Sequence, residues 1–402
     1  MTASVRFSAW YGDHDLEVPF PDGWRVRECR PADGPDIGAA GIAAAFESPI
    51  GTPRLRELAM SHHRPCVVID DLSRPTPGVR LLPVILAELA AVGIPAEDVT
   101  VLVGVANHRT TTRFDLVKKV GEEVLDRCRI RIHFSGGNCT RIGTTARGTP
   151  VELNNDFLDA DLRVLVGSIV PHPVTGFSGG AKLVLPAVAS IRAAEAFHTG
   201  VPGPGEGLGD TAPTARLDAE EAARMAGVDF IVNGVPTLRR GLAALVTGDL
   251  VAAHRAGVEA ARRTYATPTP EPADVCVLSS YPKDSEFLQW STALSPWHSA
   301  RRPLVKQDGT VVVAAAAPEG FGFHGLFGPG MPFKVVSRPL PGYDVVLFSP
   351  GLRAGELPDD QREAFKLFGS WSETVEFLAR KHGAHGSAVV FPAATTQLCV
   401  PS

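Results

Sequence analysis

Cysteine is sparse in this chain of 402 residues. Cys29, Cys66, Cys128, Cys139, Cys276 and Cys399 are scattered, and no C-x-x-C occurs. That argues against a thiolate zinc site and against a disulfide framework, and a reducing cytoplasm is the simplest compartment. No apolar run reaches the length of a membrane span. The opening MTASVRFSAWYGDHDLEVPF has no basic start followed by an apolar core, so no signal peptide is expected. A large excess of charge of one sign is also lacking: the formal net charge is −5, without the basic footprint of a nucleic-acid binder. Also missing is a G-x-G-x-x-G that opens a strand–turn–helix unit with an acidic residue about twenty positions on, which weighs against a nicotinamide dehydrogenase. No internal repeat or low-complexity tract is visible. The expected partner is a small molecule, with no nucleic acid and no membrane; the oligomeric state is not legible.

With 44% hydrophobic and 21% charged residues, the composition is that of a globular enzyme. Strands and helices alternate along the chain. Phe7 to Trp10 and Leu16 to Phe20 suit a hairpin around Gly12-Asp13, and Leu55 to Met60 starts a helix. Cys66 to Ile69 reads as a buried strand, Leu81 to Val92 as a helix, Val99 to Val105 as the next strand, and Arg113 to Asp126 as a helix. Ala252 to Tyr265 is an alanine-rich helix. The proline-rich run after it cannot lie in a helix or an interior strand, so residues 266–274 are expected to be a linker. Beyond it, Val275 to Leu278, Gly309 to Ala316, Val345 to Phe348 and Ala388 to Phe391 read as strands, with a helix from Trp371 to His382. The expectation is an α/β protein of two domains with mostly parallel sheets, residues 1–265 and 275–402. The segment Glu319 to Gly330, EGFGFHGLFGPG, reads as a mobile loop.

Polar groups gather where the strands end. After Ile69 come Asp70-Asp71-Leu72-Ser73-Arg74; Asp71 and Arg74 suit a ribose hydroxyl and an anion, or else an ion pair that closes a proline-rich loop. After Val105 comes Asn107-His108-Arg109-Thr110-Thr111-Thr112. His108 is either a general base or an exposed neighbour of a threonine helix cap. The densest stretch is VGSIVPHPVTGFSGGAKLVLPAVASIRAAEAFHTG, from Val166 to Gly200. An apolar strand stops at Pro171-His172-Pro173. Gly176 to Lys182 then forms a glycine-rich cradle whose backbone can approach a ligand, with Lys182 suited to an anionic or tethered ligand. Ser190 caps the following helix, and His198 lies on it about two turns later. Open α/β sheets bind ligands at such strand ends. His133, inside a strand, reads as structural.

Taken in order, Asp71-Leu72-Ser73-Arg74-Pro75-Thr76, His108-Arg109, Pro171-His172, Gly176 to Lys182, and His198 resemble the nickel-pincer lactate racemase family. Tyr281-Pro282-Lys283-Asp284 and Gln289 extend the resemblance, as does Tyr11-Gly12 near the start. It covers nearly the whole chain. It implies two α/β domains with an active site in the interdomain cleft, and a nickel-bearing pyridinium mononucleotide, the nickel-pincer nucleotide, as cofactor. By that resemblance His198 is the protein ligand to nickel. Lys182 binds or tethers the cofactor, and Asp71, Leu72, Ser73, Arg74, Ser178, Gly179 and Gly180 hold it. His108 and His172 are the two acid/base groups, and Gln289 lies against the substrate. The implied reaction is racemisation of a 2-hydroxy acid: a hydroxyl proton is removed, the C2 hydride moves to the cofactor, and both return on the other face.

One position departs from the family. Where lactate racemases carry a carboxylate-gripping lysine three residues after the glutamine, this chain has Thr292. Arg74, Arg301 and Arg302 are the candidates to replace that cation. Trp290 and Trp297 are expected to be core residues. The departure points to a substrate larger or more polar than lactate. It also leaves open a protein that carries the cofactor without turning over substrate, although two acid/base histidines favour catalysis.

Overall fold

The computed structural model describes residues 1–199, 207–328, 330–333, 340 and 342–401. Gly200 and Pro329, which end or interrupt two of the stretches discussed above, lie outside the described residues. The chain divides into two compact units, Gly34–Thr264 and a second that joins Met1–Asp33 to Tyr265–Ser402. The division near residue 265 coincides with the end of the alanine-rich helix. The first 33 residues, however, pack with the later unit rather than with residues 34–264.

Three strands open the chain: β1 (Thr2–Phe7), β2 (His14–Pro19) and β3 (Arg25–Glu28). β1 and β2 form a hairpin around Gly12-Asp13 as expected, with Phe7 opposite His14, but its first arm is Thr2–Phe7 rather than Phe7 to Trp10. The unit Gly34–Thr264 then contributes β4 (Pro65–Asp70), α1 (Gly78–Ala90), β5 (Thr100–Gly104), α2 (Arg113–Val120) and β6 (Arg129–Ile132). It continues with β7 (Leu162–Ser168), α3 (Ile191–His198), α4 (Thr214–Met225), β8 (Phe230–Pro236), β9 (Leu242–Gly248) and α5 (Ala252–Tyr265). Its sheet has the order β9-β8-β7-β4-β5-β6 and is parallel except for the β8–β9 pair.

The central strands are apolar at nearly every position because both sheet faces are covered. Val67, Ile69, Val101, Val103, Val164 and Val166 pack in one cluster with Leu81, Leu82, Ile85 and Leu89 of α1. Val68, Leu102 and Leu165, which point the other way, are equally buried. The chain runs from β4 outward through β5 and β6, then crosses back to β7 on the opposite side of β4 and outward again to β8. That reversal opens a crevice at the carboxyl ends of β4 and β7, the usual ligand position in such sheets. The helix expected over Arg113–Asp126 is two helices: it breaks at Gly121, where φ is +84°, and resumes over Glu122–Arg127.

The other unit adds β10 (Ala273–Ser279), β11 (Val305–Ala314), β12 (Asp344–Phe348), β13 (Lys366–Phe368), α6 (Trp371–His382) and β14 (Ser387–Phe391). Its sheet, β13-β12-β11-β10-β14-β3, is parallel throughout. The 266–274 stretch is not a bare linker. Ala266–Pro268 pairs with Leu398–Val400, and Ala273 already belongs to β10. A proline is tolerated there because the pairing is two-stranded and has open edges. Among the described residues no helix is long and apolar enough to cross a membrane.

Candidate active site

Three loops leave the carboxyl ends of the neighbouring strands β5, β4 and β7, with Asp70 level with Gly104 and Ile69 with Val166. The loop after β4 carries Asp71. One oxygen of its carboxylate accepts from the Ser73 amide at 3.0 Å and from the Ser73 hydroxyl. The other meets Nδ1 of His108 at 2.7 Å. Burial pushes the Asp71 carboxyl up, but the charge and hydrogen bond of His108, with help from Ser73 and Arg74, outweigh it and hold the group well below the usual carboxylate range. An ionised Asp71 accepts the Nδ1 proton of His108 and leaves Nε2 as the working nitrogen. His108 is not the exposed neighbour of a helix cap: its side chain is 14% exposed and engaged by Asp71. Thr112 does cap α2, accepting from the Asp115 amide at 3.3 Å, while His108 pairs with Asp71.

The loop after β7 carries His172 and Lys182. Nδ1 of His172 accepts backbone N–H bonds from Val174 and Thr175, both at 3.2 Å. A nitrogen that accepts carries no proton, so in the neutral ring the proton sits on Nε2. Nε2 lies 2.7 Å from Nζ of Lys182. A single proton fits on that line, so the two side chains form a proton-sharing pair.

The glycines beside Lys182 are packed closely by protein. The N–H of Gly180 is engaged by Oδ1 of Asn233 at 2.7 Å. A Cβ on Gly179 would lie 2.7 Å from the same oxygen, and one on Gly180 would lie 3.0 Å from the His254 ring. The cradle is tight because protein packs against it from behind. The Ser178 hydroxyl donates to Ser168 O at 2.6 Å and accepts from the Val170 amide at 3.0 Å, so it ties the loop to the end of β7. Behind them Arg216, fully buried, donates to the carbonyls of Gly179 (3.0 Å) and Phe177. His254 reaches Ser178 O at 2.9 Å and is held neutral by burial and by the Arg216 charge.

His198 ends α3, whose first turn is capped by Ser190 accepting from Ala193 N–H at 3.2 Å. Its Nδ1 donates to Ala194 O at 2.6 Å, which leaves the lone pair on Nε2. Burial pushes its pKa down to about 4; the Ala194 carbonyl opposes this, and the charges of Lys182, His108 and Arg147 add to it. His198 is therefore a neutral imidazole within electrostatic reach of both dyads, the form that binds a metal. Among the described residues no group of three or more His, Cys, Asp or Glu is placed to hold a metal ion. A metal held through His198 alone has to bring its other donors with it, as a metal chelated by an organic ligand does.

The remaining expected site residues divide. Leu72 is buried and apolar. Arg74 donates to Ser73 O and Oγ, both at 3.0 Å. Gln289 and Thr292 lie in the other unit, on a 3₁₀ helix spanning Phe287–Leu294. There Gln289 donates to Glu286 at 2.8 Å, and the Thr292 hydroxyl donates to Gln289 O at 2.8 Å. Arg302 is engaged by Glu271 (2.6 Å) and Thr269 O (2.8 Å), and Arg301 is exposed. Trp290 is core, stacked 6.1 Å from Phe287; Trp297 packs edge-on to Tyr343 at 5.1 Å. His133 is buried and meets Ala189 O at 2.9 Å, a structural residue as expected.

Sequence reasoning missed the groups beneath the site. Lys119 of α2, 1% exposed, reaches Asp70 at 2.6 Å and donates to the carbonyls of Asp71 (2.7 Å) and Arg74 (2.9 Å). Thr76 supplies a second bond to Asp70 at 2.6 Å. A lysine in a helix of mixed composition gives no sign that it is buried; only its position beside Asp70-Asp71 in the fold does.

Comparison with known proteins supplies the frame for this geometry. A sequence model described as the lactate racemase N-terminal domain matches residues 11–209. A lactate racemase of Lactiplantibacillus plantarum is 29% identical over 293 residues, covering 71% of this chain and 68% of that one. A lactate racemase of Thermoanaerobacterium thermosaccharolyticum is 31% identical over 294 residues, covering 71% and 67%. Among solved structures, the lactate racemase apoprotein from T. thermosaccharolyticum superposes with a TM-score of 0.78 at 24% identity, over 99% of this chain and 100% of that one. A protein from Thermotoga maritima gives 0.66 at 16% identity, over 92% and 100%. At those identities the two structures speak for the fold.

Proposed function

The chain belongs to the lactate racemase family, and on that premise we propose that it is a racemase or epimerase of a 2-hydroxy acid that works with a nickel-pincer nucleotide. The observation that carries the reading is the pair of histidines with unlike partners, His108 on Asp71 and His172 on Lys182, with one member of each pair, His108 and Lys182, acting electrostatically on the buried His198. His198 would hold the nickel. Lys182 and the Asp71–Arg74 loop would hold the nucleotide. When bound, that group supplies the acceptance and return of hydride at its ring carbon.

The chain's own residues move the proton. Asp71 fixes the His108 ring, so that Nε2 accepts from the substrate hydroxyl and the resulting imidazolium stays paired. His172 gives or takes the proton at Nε2 on the other face, with Nζ of Lys182 2.7 Å from that nitrogen. Two groups are needed because the hydroxyl lies on opposite sides in the two enantiomers. The substrate is a 2-hydroxy acid larger or more polar than lactate, since Thr292 brings no charge to the carboxylate. A carrier of the cofactor without turnover is the competing reading, and Thr292 is its support.

The test is metal analysis together with chiral chromatography of a panel of enantiopure 2-hydroxy acids. Protein produced in a host that makes the cofactor should contain nickel and racemise at least one acid, and His198→Ala should lose the nickel while staying folded. Nickel without racemisation across the panel supports the carrier; nickel retained in His198→Ala removes that residue from the site.

A further inference from the structure

His198 stands at the end of a helix, where order is hardest to keep. The last four carbonyls of an α-helix have no intrahelical amide partner, and terminal turns fray. In α3 the Thr199 amide serves the carbonyls of Glu195 and Ala196, at 3.0 and 3.2 Å, and the Thr199 hydroxyl adds a bond to Glu195 O at 2.9 Å. The carbonyl of Phe197 is met from outside. Nη1 of Arg147 donates to it at 3.0 Å, and Nη2 of the same guanidinium donates to Thr199 O. One side chain thus grips the backbone immediately before and immediately after His198. A cation at this end of a helix also suits the helix dipole.

Arg147 is itself held. It sits in the turn between the strands Cys139–Thr144 and Pro150–Asn154. Asp218 of α4, buried, accepts from Arg147 at 3.2 Å, from the Thr149 hydroxyl at 2.7 Å and from the Thr145 hydroxyl. Glu221 of the same helix accepts from the Ala146 amide at 3.0 Å. The turn closes with Gly148 N–H on Thr145 O, at 2.8 Å, with Gly148 at φ +91°. A planar fork with two donors in fixed relation is what two carbonyls two residues apart require; a lysine ammonium offers no such geometry.

We propose that Arg147 is a positioning residue for His198, a guanidinium clamp that fixes the imidazole by holding the carbonyls of Phe197 and Thr199, with Asp218 orienting the clamp. The inference rests on the reading of His198 as the metal ligand, and the two fail separately. A cavity of about 530 Å³ lined by Arg147, Thr149, Arg192, Glu195 and Thr199 opens beside the clamp, so the place of a deleted guanidinium is reachable from solution.

The experiment compares wild type, Arg147→Ala, Arg147→Lys and Asp218→Asn by amide hydrogen exchange on the full chain, and by nickel content of the loaded protein after dialysis. In Arg147→Ala the Thr199 amide should exchange about tenfold faster or more, as expected for local opening of one turn. Nickel retention should fall while the KM of the surviving holoenzyme stays unchanged, and millimolar guanidinium should restore protection. Arg147→Lys and Asp218→Asn should lie between. Should Arg147→Ala not fold, Arg147→Lys decides: intermediate protection at Thr199 supports the clamp, and wild-type protection overturns it. Unchanged exchange and unchanged nickel in Arg147→Ala also overturn it. Nickel that survives His198→Ala would sink the ligand reading, whereas the exchange result at Thr199 would stand.

Discussion

Lys119→Met tests whether the Asp71 loop is held from below by a buried cation. The substitution keeps the length and apolar stem of the side chain but removes the ammonium. Asp70 then keeps its Thr76 bond at 2.6 Å and loses the Lys119 contact of the same length. Both Asp70 and Lys119 are buried, so the lost partner leaves a charge in a poor dielectric. Removing one member of a buried pair costs about 3–5 kcal/mol. The carbonyls of Asp71 and Arg74 lose a donor as well, at roughly 1–3 kcal/mol for a buried acceptor left unmade. These terms share one site and do not add, so a loss of about 4 kcal/mol is the expectation. Set against a typical stability of about 5–15 kcal/mol, the unit would become marginal. Denaturant melts of Lys119→Met, Asp70→Asn and the double variant measure it. The double variant should recover more than half the loss, because the stranded charge is gone. It should not recover racemisation, because the carbonyl anchors of the Asp71–Arg74 loop are still missing. A single-variant loss below about 1 kcal/mol, the range of an exposed pair, would refute the reasoning.

Replacing His108 or His172 alone by alanine should slow racemisation by about two to four orders of magnitude; near wild-type turnover in either variant strips that residue of its role. Stability of the unit Gly34–Thr264 should be flat above pH 6.5 and fall as the pH drops toward 4. His133 and His198, both pushed down to about 4 by burial, and His254, pushed well below its usual range, stay neutral when folded, while the unfolded chain takes up protons from about 6.5 downward. Asp229 of the same unit, raised by burial, has the opposite sign and offsets part of the effect, and Asp284, pushed up to about 6 by burial, has that sign too but belongs to the other unit. Denaturation midpoints that stay level from pH 7 to 5 would contradict this. Thr292→Lys should raise kcat/KM for lactate by about tenfold to a hundredfold, the worth of one charge-assisted bond to the carboxylate. If lactate is already the best substrate of the wild type, the argument from Thr292 fails.

The central strands of both sheets were legible because apolar runs such as Cys66 to Ile69 and Val164 to Val170 have few other readings, and the polar clusters that follow them mark strand ends; the edge strands β9, β13 and β3 were not legible. The dyads were half legible. Asp71, His108, His172 and Lys182 stand out singly, yet nothing in their spacing pairs Asp71 with His108 or His172 with Lys182; the strand order makes the first pair by setting β5 beside β4, and the folding back of the one loop after β7 makes the second. The placement of the N-terminal residues was not legible. Arg25–Glu28 does not read as a strand in the sequence at all, and its partner β14 is supplied by the other end of the chain.

The glycines show where sequence reasoning stops. A glycine pair before a lysine signals close approach of something to the backbone, and the sequence cannot say of what. Here the near neighbours of Gly179 and Gly180 are Asn233 and His254, with Arg216 on the carbonyls between them. The same holds for Lys119 and Arg147. In each of three places a cation with little or no exposure turns its donors onto backbone carbonyls next to a chemically important side chain: Lys119 beside Asp71, Arg216 beside Lys182, Arg147 beside His198. A backbone carbonyl is present at every residue, so a carbonyl acceptor leaves no mark in the sequence, and the cation that meets it looks like any surface lysine or arginine. The side chains that touch substrate must be of particular kinds and therefore show. Those that hold them in place need only the right length and charge at the right depth, and depth is a property of the fold.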